Sequence, residues 1–154
     1  MAPCKNNPEC KNQSCPQNKK SIKITEDPDN IAKKTPSWNF SLSDQDGVWA
    51  FRKENIGNGF WDKILDKLIS FEKMTWGDIE SDKNNHFVSI SGCNKCARDR
   101  LEVLKITEDR LFSLRLEGKI RIYGIRKKSA LFILWYDTDH GDNCTCVFRS
   151  RKKS

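Results

Sequence analysis

Residues 111–140, LFSLRLEGKIRIYGIRKKSALFILWYDTDH, constrain the fold of this chain more than any other stretch. They hold three strand-like runs, two tight turns and a histidine closing the last run. Over residues 111–116 apolar and polar positions alternate. Phe112, Leu114 and Leu116 are placed inward, Ser113 and Arg115 outward, the period of a half-buried strand. Glu117-Gly118 reads as a turn. Residues 119–126 alternate again, with Ile120 and Ile122 against Arg121 and Tyr123. Lys127-Lys128-Ser129 is the next turn. Residues 130–136 are almost wholly apolar, which suits a central strand covered on both faces. Connections this short make the neighbouring strands antiparallel, so the segment is a three-strand meander.

Upstream the pattern changes period. Residues 38–44, WNFSLSD, alternate as a half-buried strand, Asp46-Gly47 is a turn signal, and residues 48–51 read as a short returning strand. Residues 60–71 are predicted as a helix, with Phe60, Ile64, Leu68 and Phe71 on one face and Trp61 and Leu65 beside them. Thr75-Trp-Gly-Asp78 resembles a cap opening a second helix. Residues 86–90 read as a strand or extended loop. Ala97, Leu101 and Leu104 are spaced for one face of a helix over residues 95–105. Trp49, Trp61 and Trp76 are assigned to the core, with base stacking the other use of Trp49 and Trp76. The order of strand, helices and meander predicts an α+β fold, helices packed on a mainly antiparallel sheet.

Three segments follow from composition: a Cys-rich basic arm over residues 1–37, one α+β domain over residues 38–146, and a basic tail over residues 147–154. The arm has almost no large apolar residue and cannot bury enough surface to fold alone. With 28 basic and 21 acidic residues the net charge is +7, and residues 148–154 carry four cations and no anion. That balance points to a polyanionic partner, with nucleic acid first and an acidic protein second. No run approaches the roughly 18 apolar residues of a spanning helix. The first ten residues lack the apolar core of a secretory leader, so a cytoplasmic protein is expected, with no membrane partner.

Three constellations carry chemistry. The first is basic: Arg115, Lys119, Arg121, Arg126, Lys127 and Lys128 lie on or between the meander strands. Arg121 and Tyr123, two apart on a strand, share a face and can present a guanidinium beside a phenol. Guanidinium groups bind phosphate bidentately and steady charge developing on it. The bland alternative is a solvated basic face. The second is the strand end Asp137-Thr138-Asp139-His140, where an imidazole can exchange a proton near neutral pH beside an orienting carboxylate. The alternative is a polar turn ending a strand. His86 reads as an exposed loop residue. The third is the cysteines. Cys93-x-x-Cys96 has zinc-ligand spacing and would recruit two further ligands from Cys144, Cys146, His140 or the arm, with Cys144 and Cys146 the expected pair. The alternative is free thiols, with Cys96 on its helix's buried face. The phosphate-binding loop, dinucleotide-binding and zincin motifs are absent.

The run Leu116-x-Gly118-Lys119-x-Arg121-x4-Arg126, a turn, an apolar strand over residues 131–135 and then His140 resembles the RelE/ParE-like toxin superfamily over roughly residues 60–140. The resemblance implies an endoribonuclease that cleaves messenger RNA by attack of the ribose 2′-hydroxyl on the adjacent phosphate. It implies Arg121 and Arg126 as phosphate-binding catalytic groups, His140 as general acid or base, and Tyr123 or Tyr136 as an auxiliary group. Arg115, Lys119, Lys127, Lys128 and Tyr136 would bind RNA. It also implies an antitoxin partner and, in many members, ribosome-bound RNA, with no cofactor required. ParE-like members lack ribonuclease activity, so fold alone does not settle the chemistry. Two other readings stay open. One is a zinc-stabilised nucleic-acid-binding module built on Cys93, Cys96, Cys144 and Cys146. The other is a domain whose aromatic face binds a protein.

Overall fold

The computed structural model describes residues 28–140 and 146–148. The packed unit begins before residue 38. Helix α1, Pro28–Ala32, leads into the short strand β1, Ser37–Asn39. Helix α2 spans Lys53–Ile56, and Gly57–Gly59 forms a 3-10 turn. A π-helical stretch, Phe60–Leu65, runs directly into α3, Asp66–Glu72. Helix α4 is Trp76–Ser81 and β2 is His86–Ser89. Helix α5, Lys95–Val103, precedes the meander of β3, Arg110–Glu117, β4, Ile120–Lys127, and β5, Ala130–Asp137. The five strands line up as β1-β5-β4-β3-β2, with only β1 parallel to its neighbour. This is the expected α+β arrangement on a mainly antiparallel sheet. No helix among the described residues is long and apolar enough to cross a membrane.

The expected strand over residues 38–44 is cut to Ser37–Asn39, for a local reason. The Asn39 side chain accepts the Ser41 N–H at 2.8 Å, and the Ser43 N–H donates to the Phe40 carbonyl at 3.1 Å. Such a turn takes the backbone groups a ladder would need. Residues 48–51 are likewise not a strand. They form a turn that lays the Trp49 carbonyl against the Tyr136 N–H at 2.9 Å. Helix α4 opens as its sequence predicts, with Thr75 and Asp78 exchanging side-chain and backbone hydrogen bonds in a capping box.

Both faces of the sheet are covered, and this overturns the outward placement of Ser113. On one face Ala97 and Leu101 of α5 pack with Leu111, Tyr123, Ile125 and Trp135, and Val147 from beyond β5 joins them. On the other, Ile64, Leu68, Trp76 and Ile79 pack with Phe112, Leu114, Ile122 and Ile133. Each such aliphatic side chain contributes roughly 1.5–3 kcal/mol on burial. Trp49 and Trp76 belong to these cores as expected, but Trp61 does not and is 66% exposed.

A bulge re-aims the sheet where β4 meets β5. The register slips between Tyr123 and Gly124, so Leu134 has no partner on β4, its carbonyl accepts the Asp44 N–H at 3.1 Å instead, and its side chain enters the same core cluster as Trp135. A Cβ at Gly124 would collide with the Phe132 carbonyl, which explains the glycine.

Candidate functional site

Strand pairing creates an uncommon row of charge beside the β3–β4 turn. Arg115 stands opposite Arg121, and Arg121 opposite Asp137. The next row holds Ser113, Tyr123 and Trp135, with His86 of β2 opposite Ser113. Partners in a row project from the same face. Like charges set directly opposite each other destabilise a sheet unless something neutralises them. Both guanidiniums converge on one acceptor. Arg115 Nε donates to the Gly118 carbonyl at 3.2 Å and Arg121 Nη1 to the same oxygen at 2.7 Å. Arg121 Nη1 also reaches the Ile120 carbonyl at 3.2 Å. Gly118 takes φ +51°, a left-handed conformation that suits glycine in a two-residue hairpin loop.

His140 is drawn to this row from the end of β5. Its backbone N–H donates to the Lys119 carbonyl at 3.3 Å, which ties it to the same turn. Its ring Nδ1 is 3.0 Å from the Tyr123 hydroxyl, a hydrogen bond that sets the rotation of the imidazole. Burial, then the neighbouring Arg121 and His86 charges, push the His140 pKa down to about 4, so the ring is neutral at neutral pH. Tyr123 is fully buried, and burial holds its phenol well above the usual range. The Ser113 hydroxyl beside it is buried without a formed hydrogen bond.

Asp137 does not neutralise the arginines by contact. Its Oδ1 accepts the Asp139 N–H and its Oδ2 the Val147 N–H, each at 2.8 Å. Burial raises its pKa, and the ion pairs among the described residues do not include it. Arg121 is 6% exposed, and that burial lowers its own pKa. The open rim consists of half-buried Arg115 and His140 with exposed Lys119, His86 and Asp82. Asp82 is held low first by hydrogen bonds from Asn84 and then by the Arg115 and Arg121 charges.

Arg126 does not join this site, which corrects the expected pairing with Arg121. The two are an odd number of residues apart on β4, so their side chains leave opposite faces, and about 17 Å of strand separates them. Arg126 instead pairs with Glu80 and lies over the Trp76 ring, its Cζ 4.3 Å from the centroid. Lys127 is also at the far end and pairs with Glu108 at 3.5 Å. Lys128 sits in the β4–β5 turn with φ 57°. Tyr136 packs in the opposite core cluster and lines a groove on that side together with Lys119.

The cysteines are divided. Cys93 and Cys146 are buried and Cys96 is exposed, which overturns its placement on the covered face of α5. Burial pushes the Cys93 thiol up to about 11, and its Sγ donates to the Ser89 carbonyl at 3.6 Å. Cys146 approaches the same corner, its Sγ 3.4 Å from Asn94 Nδ2. Cys144 and the arm cysteines lie outside the described residues. Among the described residues no group of three or more His, Cys, Asp or Glu side chains is placed to hold a metal.

One buried charge cluster was not foreseen. Asp44, 2% exposed, receives both Arg100 nitrogens, Nη2 at 2.7 Å and Nε at 2.8 Å. It also accepts the Trp135 indole N–H at 2.9 Å. These donors, Arg100 foremost, hold its carboxyl far below the usual range. The cluster is structural: it ties the 40–51 loop to α5 and β5. His86 was also missed as a site residue, because only strand pairing brings it to His140. No family model matches the chain, and no curated protein or solved structure matches it either.

Proposed function

We propose that the chain is an endoribonuclease of the RelE-like kind, with its site at the β3–β4 turn. The observation that carries this reading is the Arg115–Arg121 row, two guanidiniums side by side on one carbonyl with a neutral imidazole next to them. A phosphodiester anion is the ligand that turns their mutual repulsion into binding.

In the proposed reaction the 2′-oxygen bonds to phosphorus and the bond to the 5′-oxygen breaks. His140 takes the 2′-hydroxyl proton, and the departing 5′-oxygen is protonated from solvent at the open rim. Products are a 2′,3′-cyclic phosphate and a 5′-hydroxyl. Arg121 and Arg115 hold the phosphate and balance its developing charge. A ring with a pKa near 4 is a weak base, depressed first by burial and then by its neighbours, of which Arg121 is a cation. A bound phosphate offsets the Arg121 charge and moves the imidazole toward the working pH. Tyr123 is a positioning residue that orients His140, and Lys119 adds charge at the rim. Arg126, Lys127 and Lys128 take no part at this phosphate. An acidic antitoxin covering the rim belongs to the same proposal.

The test uses the full chain, purified, with end-labelled single-stranded RNA, with and without ribosomes. Cleavage should leave cyclic phosphate ends. Arg121→Ala and His140→Ala should each slow it about 100-fold or more. Cleavage that survives in the double variant overturns the site.

A second reading, a zinc-stabilised RNA-binding module without catalysis, is favoured by one observation. Cys146 reaches Asn94, the residue next to Cys93, so two cysteine motifs meet at one corner. Stoichiometric zinc, with unfolding by chelator, would establish it.

A further inference from the structure

We propose that His86 is the general acid of the site at the β3–β4 turn, giving its Nε2 proton to the departing 5′-oxygen while His140 takes the proton of the 2′-hydroxyl. The proposal rests on the ribonuclease reading above, which leaves the second proton to solvent, and assigns that proton to a side chain. His86 opens β2, the outermost strand on this side of the sheet, and is exposed. It stands opposite Ser113, and Ser113 opposite Tyr123, so His86 and Tyr123 leave one face of the sheet with a single strand between them. Val88, two residues along β2, is buried on that face in the same cluster as Tyr123.

The intervening strand, β3, carries Arg115, which shares the Gly118 carbonyl with Arg121. The two imidazoles thus approach the guanidinium pair from different strands, His86 from β2 and His140 held over β4 by the Tyr123 hydroxyl. Backbones two strands apart are about 10 Å from each other, which leaves room for a phosphodiester between the rings. Cleavage needs that separation, because the entering 2′-oxygen and the departing 5′-oxygen lie in line on opposite sides of phosphorus. The hydrogen bonding of His86 suits a donor. Its Nδ1 lies 3.0 Å from the Phe87 carbonyl, an oxygen that only accepts, so Nδ1 carries a proton and Nε2 is the nitrogen that exchanges one. The two rings also favour opposite states. Burial first, then the Arg121 and His86 charges, hold His140 neutral, so a protonated His86 stands near a ring free to accept. Other donors at the rim fit less well. The guanidiniums do not release protons. The Tyr123 hydroxyl is buried and occupied by His140. Lys119 in the turn is the competitor. The charged groups around His86 are Arg115 on β3, Arg121 on β4, His140 beyond β5 and Asp82 in the turn before β2, and of these Asp82 opposes a phosphate.

The test uses the full chain, with ribosomes added if RNA cleavage requires them. The substrate is a 2′-O-methyl RNA with one ordinary ribonucleotide, placed at a linkage the protein cuts in unmodified RNA. That linkage carries its natural 5′-oxygen or a bridging 5′-sulfur, which departs as a thiolate and needs no proton. His86→Gln should slow cleavage of the oxygen linkage about 100-fold or more and leave the sulfur linkage within about 3-fold of the parent. It should also remove the fall in rate on the alkaline side of the pH profile. His140→Gln should slow both linkages. Because a misfolded variant loses both, His86→Asn repeats the measurement, and only variants that melt with the parent are compared. Equal losses on the two linkages overturn the proposal and assign His86 to binding. No loss on either overturns it as well, and an oxygen-only loss in Lys119→Gln but not in His86→Gln gives the acid role to Lys119. If His140→Gln slows both linkages while His86→Gln slows neither, the ribonuclease reading stands and this one falls alone. If the parent cuts no RNA, both fall.

Discussion

Arg121 and Arg126 lie on one strand, at opposite ends and on opposite faces, in contrasting electrostatic surroundings. At the β4–β5 end, Arg126 has Glu80 as a counter-ion and Trp76 as a stacking surface. Lys127 next to it has Glu108. At the β3–β4 end, Arg121 faces Arg115, and the carboxylate in its row is occupied by backbone N–H groups. One end spends its cations on holding the molecule together. The other leaves cations adjacent and incompletely neutralised, an arrangement that stability alone does not favour. The contrast separates a structural arginine from the one proposed to bind a phosphate.

The largest expected effect lies with matched charge. Asp44→Ala leaves Arg100 and the Trp135 indole without their acceptor and should cost about 3–5 kcal/mol in urea unfolding. Because the folded Asp44 pKa lies below its unfolded value of 3.8, its contribution is present above that pH. It is lost as acid protonates the group. An Asp44→Ala variant as stable as the parent would mean that the cluster holds nothing together.

The arginines themselves come next, and methionine tests both while keeping volume. Arg126→Met should lose about 1–2 kcal/mol, from its ion pair and ring contact, with RNA cleavage intact. Arg121→Met should stay within about 1 kcal/mol of the parent, or gain, because relieved repulsion offsets lost hydrogen bonds. Its cleavage should disappear. The reverse pattern would invert the assignment of the two ends.

Acid titration sharpens the contrast further. The unfolded chain binds a proton at His140 near pH 6.5, whereas the folded ring holds out to about 4. His140 therefore costs stability progressively as pH falls through that window. His140→Gln should flatten the stability profile between those limits, measured by denaturant midpoints, and an unchanged slope would place the ring in water.

The smallest effect concerns the two hairpin turns. Lys128 has φ 57° and Gly118 has φ +51°. Lys128→Gly should raise stability by about 0.5–1 kcal/mol and leave activity alone. Gly118→Ala should lower stability by about 1 kcal/mol and slow cleavage as well, since its carbonyl anchors the site. Equal effects of the two on activity would erase the distinction between the ends.

Much of this was legible in the residues. The meander, its turns, the helix cap at Thr75 and the shared face of Arg121 and Tyr123 all follow from period and turn chemistry. Parity on β4 also separates Arg121 from Arg126, a rule the motif spacing obscured. The pairing of His140 with Tyr123, the arrival of His86 and the Arg115–Arg121 row depend on register, which a single strand does not carry.

The amino-acid sequence by itself determined that the last third forms a sheet, because alternation and short turns admit few other solutions. It also determined that helices precede that sheet and that the chain is strongly basic. Tertiary structure alone decided which of those basic groups are neutralised. Whether a charge meets a carboxylate, a ring or another cation depends on neighbours distant along the chain, and those neighbours are brought together only by packing on both faces of the sheet.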